Sequence, residues 1–359
     1  MALVDRLAFD ADIKARFIAD LKADLFTRHQ SFLSNPLLLS IMLLTYQDTA
    51  HIPSKLSIFY NQAYESLFQK HDALKGGYQR ERRTTLDIQD FARVFAAFCV
   101  RTYDKRQFTF PVSSALDVLD RCKALTQLDY DSQAFLDDAH QAVCLLVEEG
   151  VDIAFAHRSF QEYFTARFVS TSPPQVKAQL IRRFSVSAGA DAVIPLLHEI
   201  DPYAVEQHYL LPAIQRVKQQ IGFKRSVGVS HFLKYIRLLF SSFENSTDEQ
   251  RGISATIADS SLFHAIRFAH SHYAQLPESM DQATRDSQRP AFEASFEAEF
   301  GDATRVPASR FATNGPFVRA LMQSSGHWGI AYLRQVLAID TTIRRRHSDA
   351  ESSLEAILG

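Results

Sequence analysis

The stretch FAHRSFQEYF, Phe155 to Phe164, predicts an amphipathic helix that begins directly after a strand. Ser159 and Glu162 have the S-x-x-E spacing of a capping box, in which both side chains bind free N–H groups of the first turn. The next large apolar residues share one helix face, which therefore packs on a core: Phe160, Tyr163, Phe164 and Phe168. Neither pattern explains His157 or Arg158, and we expect Arg158 to be a surface charge.

The residues around this stretch predict a winged-helix domain over residues 86–172. Asp87 is a candidate N-cap for a helix, residues 108–112 alternate like a short strand, and helical spacing resumes at 113–125. A helix over 134–147 then leads to a Glu-Glu-Gly turn and a second alternating segment at 151–155. Helices followed by a small β-hairpin and a closing helix are the order of parts in that kind of domain.

The composition indicates a mainly α, soluble and cytoplasmic protein. Only 12 Gly and 12 Pro interrupt 359 residues, and the net charge of -2 gives no general attraction to nucleic acid or anionic membrane. Three widely spaced cysteines fit reduced core residues. The longest apolar run, residues 36–44, is about half of the ~20 residues that a membrane crossing needs. Neither a membrane nor a nucleic acid is therefore expected as a partner.

Helical domains are predicted on both sides of the winged helix. Residues 1–85 form the first, in which Asn35 is the N-cap and Pro36 the first residue of a helix that is apolar on nearly every side. A flexible junction is expected at 76–85. Residues 173–359 form the second, with helices that include 231–243, 317–337 and 340–358, and a loop-rich insert at 277–315.

Common catalytic and metal-binding motifs are absent from the sequence. It contains no G-x-x-x-x-G-K-[ST], G-x-G-x-x-G, H-E-x-x-H, G-x-S-x-G or C-x-x-C, so no catalytic and no metal-ligating residue is predicted. The acids of residues 129–138 lack the glycine and glutamate of a calcium loop and are interpreted as helix caps. The basic runs at 80–83 and 344–347 are interpreted as solvated charge.

His157 has two interpretations on physical grounds. Beside Arg158 and a helix N-terminus, its ring is suited to contact an anion such as phosphate. Alternatively, the ring is hydrogen-bonded into the corner between strand and helix.

Three segments together resemble a family of signal-transduction ATPases. They are FLSNPLLLSIMLLTY at 32–46, IPSKLSIFYNQAYESLFQKHD at 52–72 and FAHRSFQEYFTARF at 155–168. Their order and spacing are similar to the part of bacterial NACHT-family (STAND, NLR-like) ATPases that follows the nucleotide-binding core. In that family an N-P-L-L-L-like helical domain precedes a winged-helix domain that ends in F-x-H-x-S-F-Q-E-[FY]. The resemblance covers about residues 10–170.

The resemblance implies nucleotide-sensing roles for Pro36 and His157. In related receptors the proline matching Pro36 packs near the adenine, and the histidine matching His157 approaches the β-phosphate of ADP and helps to lock the closed state. Such proteins exchange ADP for ATP with magnesium, oligomerise on activation, and in bacteria act in antiphage defence. The resemblance thus implies a NACHT core as partner, a sensed ligand at the C-terminal region and a homo-oligomer.

One departure from the family concerns the P-loop core, whose Walker motifs are not in this sequence. The chain alone is therefore expected to bind no cofactor and to hydrolyse no ATP. Two alternatives account for this: a C-terminal part of a longer or split protein, or a degenerate member that lost its core. The rival function is a winged-helix DNA-binding transcription regulator, for which the helix at 113–125 offers only Arg121 and Lys123 against two aspartates.

Overall fold

The computed structural model describes residues 2–7, 9–26, 33–49, 53, 55–70, 82–245, 252–274, 282–324 and 326–358. The chain forms two compact units. Unit 1 contains Met1–Lys177 and Asp191–Asp201, and unit 2 contains Ala178–Ala190 and Pro202–Gly359. The fold is mainly α with two small three-stranded sheets, as the composition predicts.

Unit 1 begins with helices that are fixed by their caps. Asp10 caps α2, where its carboxylate accepts from the Asp12 N–H at 2.8 Å. Asn35 caps α3 and accepts from the Leu38 N–H at 3.2 Å, so the cap and the helical start at Pro36 are as predicted. The helices are α1 (Ala2–Arg6), α2 (Ala11–Asp20, continued by a π-helical turn at Leu21–Leu25), α3 (Pro36–Thr49) and α4 (Leu56–Lys70). Most of the junction expected at 76–85 lies outside the described residues.

The second part of unit 1 surrounds a small antiparallel sheet. Its elements are α5 (Ile88–Asp104), β1 (Thr109–Pro111), α6 (Val112–Thr126), α7 (Ser132–Asp137, continued by a π-helical turn at Asp138–Ala142), β2 (Leu146–Glu149), β3 (Asp152–Phe155), α8 (Arg158–Thr171) and α10 (Val193–Ile200). The strand order is β1-β3-β2, and Leu146 pairs with Phe155. Phenylalanine rings fill the core, and Phe95 meets Phe164 edge to face at 4.9 Å.

The predicted helix over 134–147 is too long. The helical turns end at Ala142, and the backbone of Cys144 has a φ of 55°, a left-handed conformation that stops the helix. Residues 146–149 instead pair with β3 as strand β2, which buries Leu146. The apolar spacing of this segment fits a helix locally, but the pairing with β3 decides its structure.

Unit 2 is a helical unit with its own three-stranded sheet in the order β5-β4-β6. Its elements are α11 (Pro202–Val205, continued by a π-helical turn at Glu206–Leu210), α12 (Leu211–Ile221), α13 (Val229–Leu239), β4 (Phe240–Asn245), β5 (Ile253–Ile257), α14 (Ser260–Tyr273), α15 (Gln282–Phe300), β6 (Arg305–Pro307), α16 (Pro316–Gln323) and α17 (Ile330–Leu358). Helix α9 (Pro174–Phe184) contributes its residues from 178 onward to this unit.

Three sequence predictions in unit 2 are wrong. The helix expected at 231–243 ends at Leu239, because residues 240–245 form the central strand of the sheet. The expected loop at 277–315 contains the 19-residue helix α15, which buries Phe296 against Phe317 with ring centroids 5.1 Å apart. The pair expected at 317–337 and 340–358 is divided instead at 324–329, so that a single helix, α17, runs from Ile330 to Leu358.

Candidate functional site

His157 is the N-cap of α8, and the predicted capping box is wrong. The Ser159 N–H donates to His157 Nδ1 at 3.1 Å, and the Ser159 hydroxyl lies 2.6 Å from the same nitrogen. The N-cap therefore lies two residues before the predicted one, and the helix begins at Arg158. The Glu162 side chain binds other partners, so neither residue of the S-x-x-E pair has its expected role.

This geometry sets the tautomer of the imidazole ring. Because Nδ1 of His157 accepts the Ser159 N–H, the proton of the neutral ring is on Nε2. Among the described residues no hydrogen-bond partner contacts Nε2. Burial lowers the pKa of His157 below the ordinary value of 6.5, so the half-buried ring is neutral at neutral pH. The corner therefore presents one unused N–H donor.

Tyr60 of α4 supports the ring through Ser159. The Ser159 side chain hydrogen-bonds the Tyr60 hydroxyl, whose pKa is raised by burial. The Tyr60 ring stacks on Tyr163 at 5.4 Å and meets Phe160 edge to face at 5.6 Å. A chain of contacts therefore runs from α4 to the imidazole through a single serine.

Arg158 is an exposed charge, as predicted, and it also has two side-chain contacts within unit 1. Its Nε atom lies 2.8 Å from Glu162 Oε1, and its guanidinium lies 4.6 Å from the centroid of the Phe108 ring. Glu162 is 7% exposed, and its Oε2 accepts the Ala192 N–H at 3.3 Å. Burial raises the pKa of Glu162, and Arg158 opposes that shift. Arg158 therefore partly compensates a buried carboxylate.

Pro36, the other predicted site residue, lies exposed at the start of α3. Its carbonyl accepts the Ser40 hydroxyl at 2.8 Å. These contacts do not join Pro36 to the His157 corner, so local structure alone explains the proline as a helix-starting residue.

Unit 2 contains a buried cluster of side chains around Glu206 that no sequence pattern predicted. Glu206 is fully buried and contacts Arg346, the Tyr273 hydroxyl and His347, whose Nε2 lies 2.5 Å from Glu206 Oε2. His347 also stacks on Tyr203 at 4.1 Å. The prediction of solvated charge for 344–347 is therefore wrong for the buried His347, while Arg346 is exposed and also contacts Glu206. No local pattern joins residues 141 positions apart.

The remaining polar candidates have structural roles. Asp131 caps α7 by accepting the Ala134 N–H at 2.7 Å, as predicted, whereas Asp138 is buried and accepts at 2.9 Å the N–H of Thr84, which lies outside any helix. Within the described ranges no group of three His, Cys, Asp or Glu side chains could hold a metal ion. Cys99 and Cys122 are buried thiols whose pKa values are raised by burial.

A cavity of about 340 Å³ lies on α17. Its described lining consists of Thr341, Thr342, Arg345, Arg346 and Asp349. Arg346 contacts Glu206, and Arg345 lies 3.8 Å from Asp349. Since each arginine already has a carboxylate beside it, this cavity has little charge to offer an anionic ligand.

The helix at 113–125 does not gain a DNA-binding character in the structure. Lys123 is paired with Asp120 at 2.8 Å, which leaves Arg121 as the other cation of that helix. In the part of the chain that the structure describes, no helix combines the length and apolar character that a membrane crossing requires.

The C-terminal half of the chain matches a known family model. Residues 200–358 match a family model described as a short NACHT-associated C-terminal domain, family 13. No curated protein and no solved structure gives a significant match. The matched range contains α11 to α17 and therefore nearly all of unit 2. The C-terminal part of this chain is thus similar to a NACHT-associated C-terminal domain.

Proposed function

We propose that this chain is the regulatory and sensory portion of a bacterial NACHT-family NTPase in antiphage defence. In this proposal it contributes His157 and Pro36 to a nucleotide-binding core outside these 359 residues. The match of residues 200–358 to a NACHT-associated C-terminal domain is the observation that carries it. The resemblance of the three N-terminal segments to NACHT ATPases supports it independently.

The order of elements in unit 1 supports a winged-helix interpretation of residues 86–172. Helix α5, strand β1, helices α6 and α7, and the β2-β3 hairpin follow one another, with β1 added at the edge of the hairpin beside β3. In this interpretation α8 is the closing helix, and His157 lies where the last strand meets it. A small domain that moves as one body is suited to carry a sensing side chain toward or away from a nucleotide.

His157 would act as a hydrogen-bond donor and not as a base. With Nδ1 engaged by Ser159, the Nε2–H of the neutral ring is available for a β-phosphate oxygen of ADP. A hydrogen bond to a charged group contributes about 1.5–3 kcal/mol. Because this bond exists only in the closed, ADP-bound arrangement, it shifts the population toward that state until a ligand at unit 2 favours the open one.

The experiment uses the chain together with its NACHT core, either in one polypeptide or as a co-expressed partner. His157→Asn keeps an acceptor at the N-cap, where asparagine is among the preferred residues, and removes the Nε2–H. We expect the dissociation rate of a fluorescent ADP analogue to rise about tenfold or more, since 1.4 kcal/mol corresponds to a factor of ten.

The controls separate capping from nucleotide contact. His140→Asn replaces another histidine of unit 1, whose Nδ1 lies 3.9 Å from Glu148, and should leave ADP release unchanged. His157→Ala should also lose about 1 kcal/mol of cap stability, seen as faster hydrogen exchange in α8. Unchanged ADP release in His157→Asn would refute the proposed contact. Pro36→Ala preserves the helix and should weaken nucleotide binding by a smaller factor.

A further inference from the structure

The segment Asp191–Asp201 has an unusual place in the chain. It belongs to unit 1, whereas the residues on both of its sides, 178–190 and 202–359, belong to unit 2. Helix α10 forms most of this segment. We call Asp191–Asp201 the clasp, because it is packed in unit 1 and covalently joined at each end to unit 2.

The N-terminal end of the clasp is held by buried polar contacts. Asp191 is a fully buried side chain whose Oδ2 accepts the Tyr103 hydroxyl at 2.5 Å, and the Arg106 guanidinium lies 3.3 Å away. The next residue, Ala192, donates its N–H to Glu162 of α8 at 3.3 Å. Since Glu162 is itself buried, the loss of this contact would leave a carboxylate without one of its donors.

The C-terminal end of the clasp is held by Glu199. Its Oε2 accepts the Ser57 N–H at 2.7 Å. Because α4 begins at Leu56, Ser57 is in its first turn, and Glu199 caps that N–H from a distant part of the sequence. Lys177 closes the end of the segment with an ion pair to Asp201 at 2.6 Å.

Each end of the clasp is connected to His157 through side-chain contacts. Glu162 lies one turn after His157 on α8 and is joined to the intervening Arg158 at 2.8 Å. Glu199 caps α4, which carries Tyr60, and Tyr60 is hydrogen-bonded to the serine that holds the His157 ring. Two carboxylates thus connect the clasp to the two helices that position the imidazole.

We propose that the clasp transmits changes in unit 2 to His157, with Glu162 and Glu199 as positioning residues. A ligand that changes the conformation of unit 2 also displaces the clasp, because the clasp is joined to unit 2 at both ends. Displacement of the clasp weakens its contacts to α4 and α8, and the His157 side chain then becomes less ordered. The proposal deepens the proposed function, because it names a regulatory route to the same residue.

Hydrogen exchange of the intact chain without nucleotide tests the first half of this route. Glu199→Ala removes the cap of α4, so exchange at 56–60 should become faster. The proposal further requires exchange at 157–162 to rise by about threefold or more, through Tyr60 and Ser159. Asp131→Ala is the matched control, because it removes another cap of unit 1 and should accelerate exchange only near α7. A response confined to 56–60 would overturn the route.

A double-mutant cycle tests the connection to unit 2. Glu206→Gln perturbs unit 2 at its buried carboxylate, and we expect it to change exchange at 157–162 in the parent chain. In the Glu199→Ala background the same change should have little effect on that segment, because the clasp is already loosened. Equal effects in both backgrounds, or none in the parent, would contradict the proposal. Glu199→Gln retains an acceptor oxygen for the Ser57 N–H, so its hydrogen exchange at 157–162 should equal that of the parent chain.

The hydrogen-exchange experiments contain no nucleotide, so they can fail or succeed separately from the ADP-release experiment. If His157→Asn leaves ADP release unchanged while Glu199→Ala still alters exchange at 157–162, the proposed function fails and the clasp remains. If the reverse is found, His157 senses nucleotide and the route from unit 2 lies elsewhere.

Discussion

Two buried glutamates, Glu162 in unit 1 and Glu206 in unit 2, each hold an arginine, and each lies near a histidine. In unit 2 the histidine is part of the cluster, since Nε2 of His347 lies 2.5 Å from Glu206. In unit 1 the carboxylate binds Arg158 and a backbone N–H, while His157 binds Ser159.

The difference teaches which of the two sites is suited to sense a ligand. The Glu206 cluster is saturated, because its carboxylate has three side-chain partners and contributes to packing. In the His157 corner, Arg158 compensates the charge of Glu162, and the histidine takes no part in that pair. Within the described residues the neutral, positioned ring therefore keeps one N–H donor without a partner. Similar residue types are therefore structural in one unit and a candidate sensor in the other.

The strongest way to break this comparison is Glu206→Ala. The substitution takes the carboxylate partner from the buried ring of His347, and a buried polar group that loses its partner costs about 1–3 kcal/mol, to which the cavity left by the side chain adds. Trp328 is the single tryptophan and lies in unit 2, 5.6 Å from Phe243, so its fluorescence reports unfolding of that unit. We expect its urea midpoint to fall sharply, whereas Glu351→Ala at an exposed position should change it little. A small effect of Glu206→Ala would show that the cluster is not structural.

A third histidine, His327, has a pKa that is lowered mainly by burial and further by the charge of Arg267. It lies among aromatic rings, 5.2 Å from Trp328 and 5.6 Å from Phe263, and burial lowers its pKa to about 4. Because the folded pKa is below the unfolded value of about 6.5, the unfolded state binds more protons between these values. The contribution of the neutral His327 ring to the free energy of unfolding is fully present above about pH 6.5. It falls by about 3 kcal/mol as the pH drops toward 4 and below.

His327→Phe removes this titration and keeps an aromatic ring. The urea midpoint, followed by Trp328 fluorescence, should therefore depend less steeply on pH in the variant than in the parent across pH 4 to 6.5. Parallel profiles in the two proteins would assign the acid sensitivity of unit 2 to other groups, the Glu206 cluster among them.

The smallest effect is expected for Arg345→Ala. Its side chain is 83% exposed and its carboxylate neighbour, Asp349, is 3.8 Å away, so the pair should contribute less than about 1 kcal/mol. Arg346→Ala, one residue further along the same run, removes a contact to the buried Glu206 and should cost more. Equal urea midpoints for the two variants would show that an arginine paired with a buried carboxylate contributes no more than one paired with an exposed carboxylate.

Sequence reasoning was most successful where the cause is local. The Asn35 cap, the helical start at Pro36 and the capping role of Asp87 depend on residues within three positions of one another. The capping box at Ser159 failed although its spacing was ideal, because the ring of His157 takes the cap position first. The error shows that a local motif can have two competing solutions.

Strands were the least predictable elements. The apolar spacing at residues 240–245 and 146–149 suits a helix. Both segments are strands instead, because they pair with segments that lie further along the chain. Helix α15 was missed for a related reason, since its polar surface and Pro290 suggested a loop, while burial of Phe296 against Phe317 stabilises it.

The sequence by itself determined the mainly α class, the caps at Asn35 and Asp87, and the absence of a P-loop from these residues. It also identified His157 as a residue that local helix formation did not explain. Only the tertiary structure decided that His157 caps α8 as a neutral ring, that Arg158 pairs with a buried carboxylate, and that Glu199 caps a helix 142 residues away. The physical reason is range. Caps and apolar periodicity act over a few residues, whereas the tautomer of a ring and the compensation of a buried charge depend on which distant segments are packed against them.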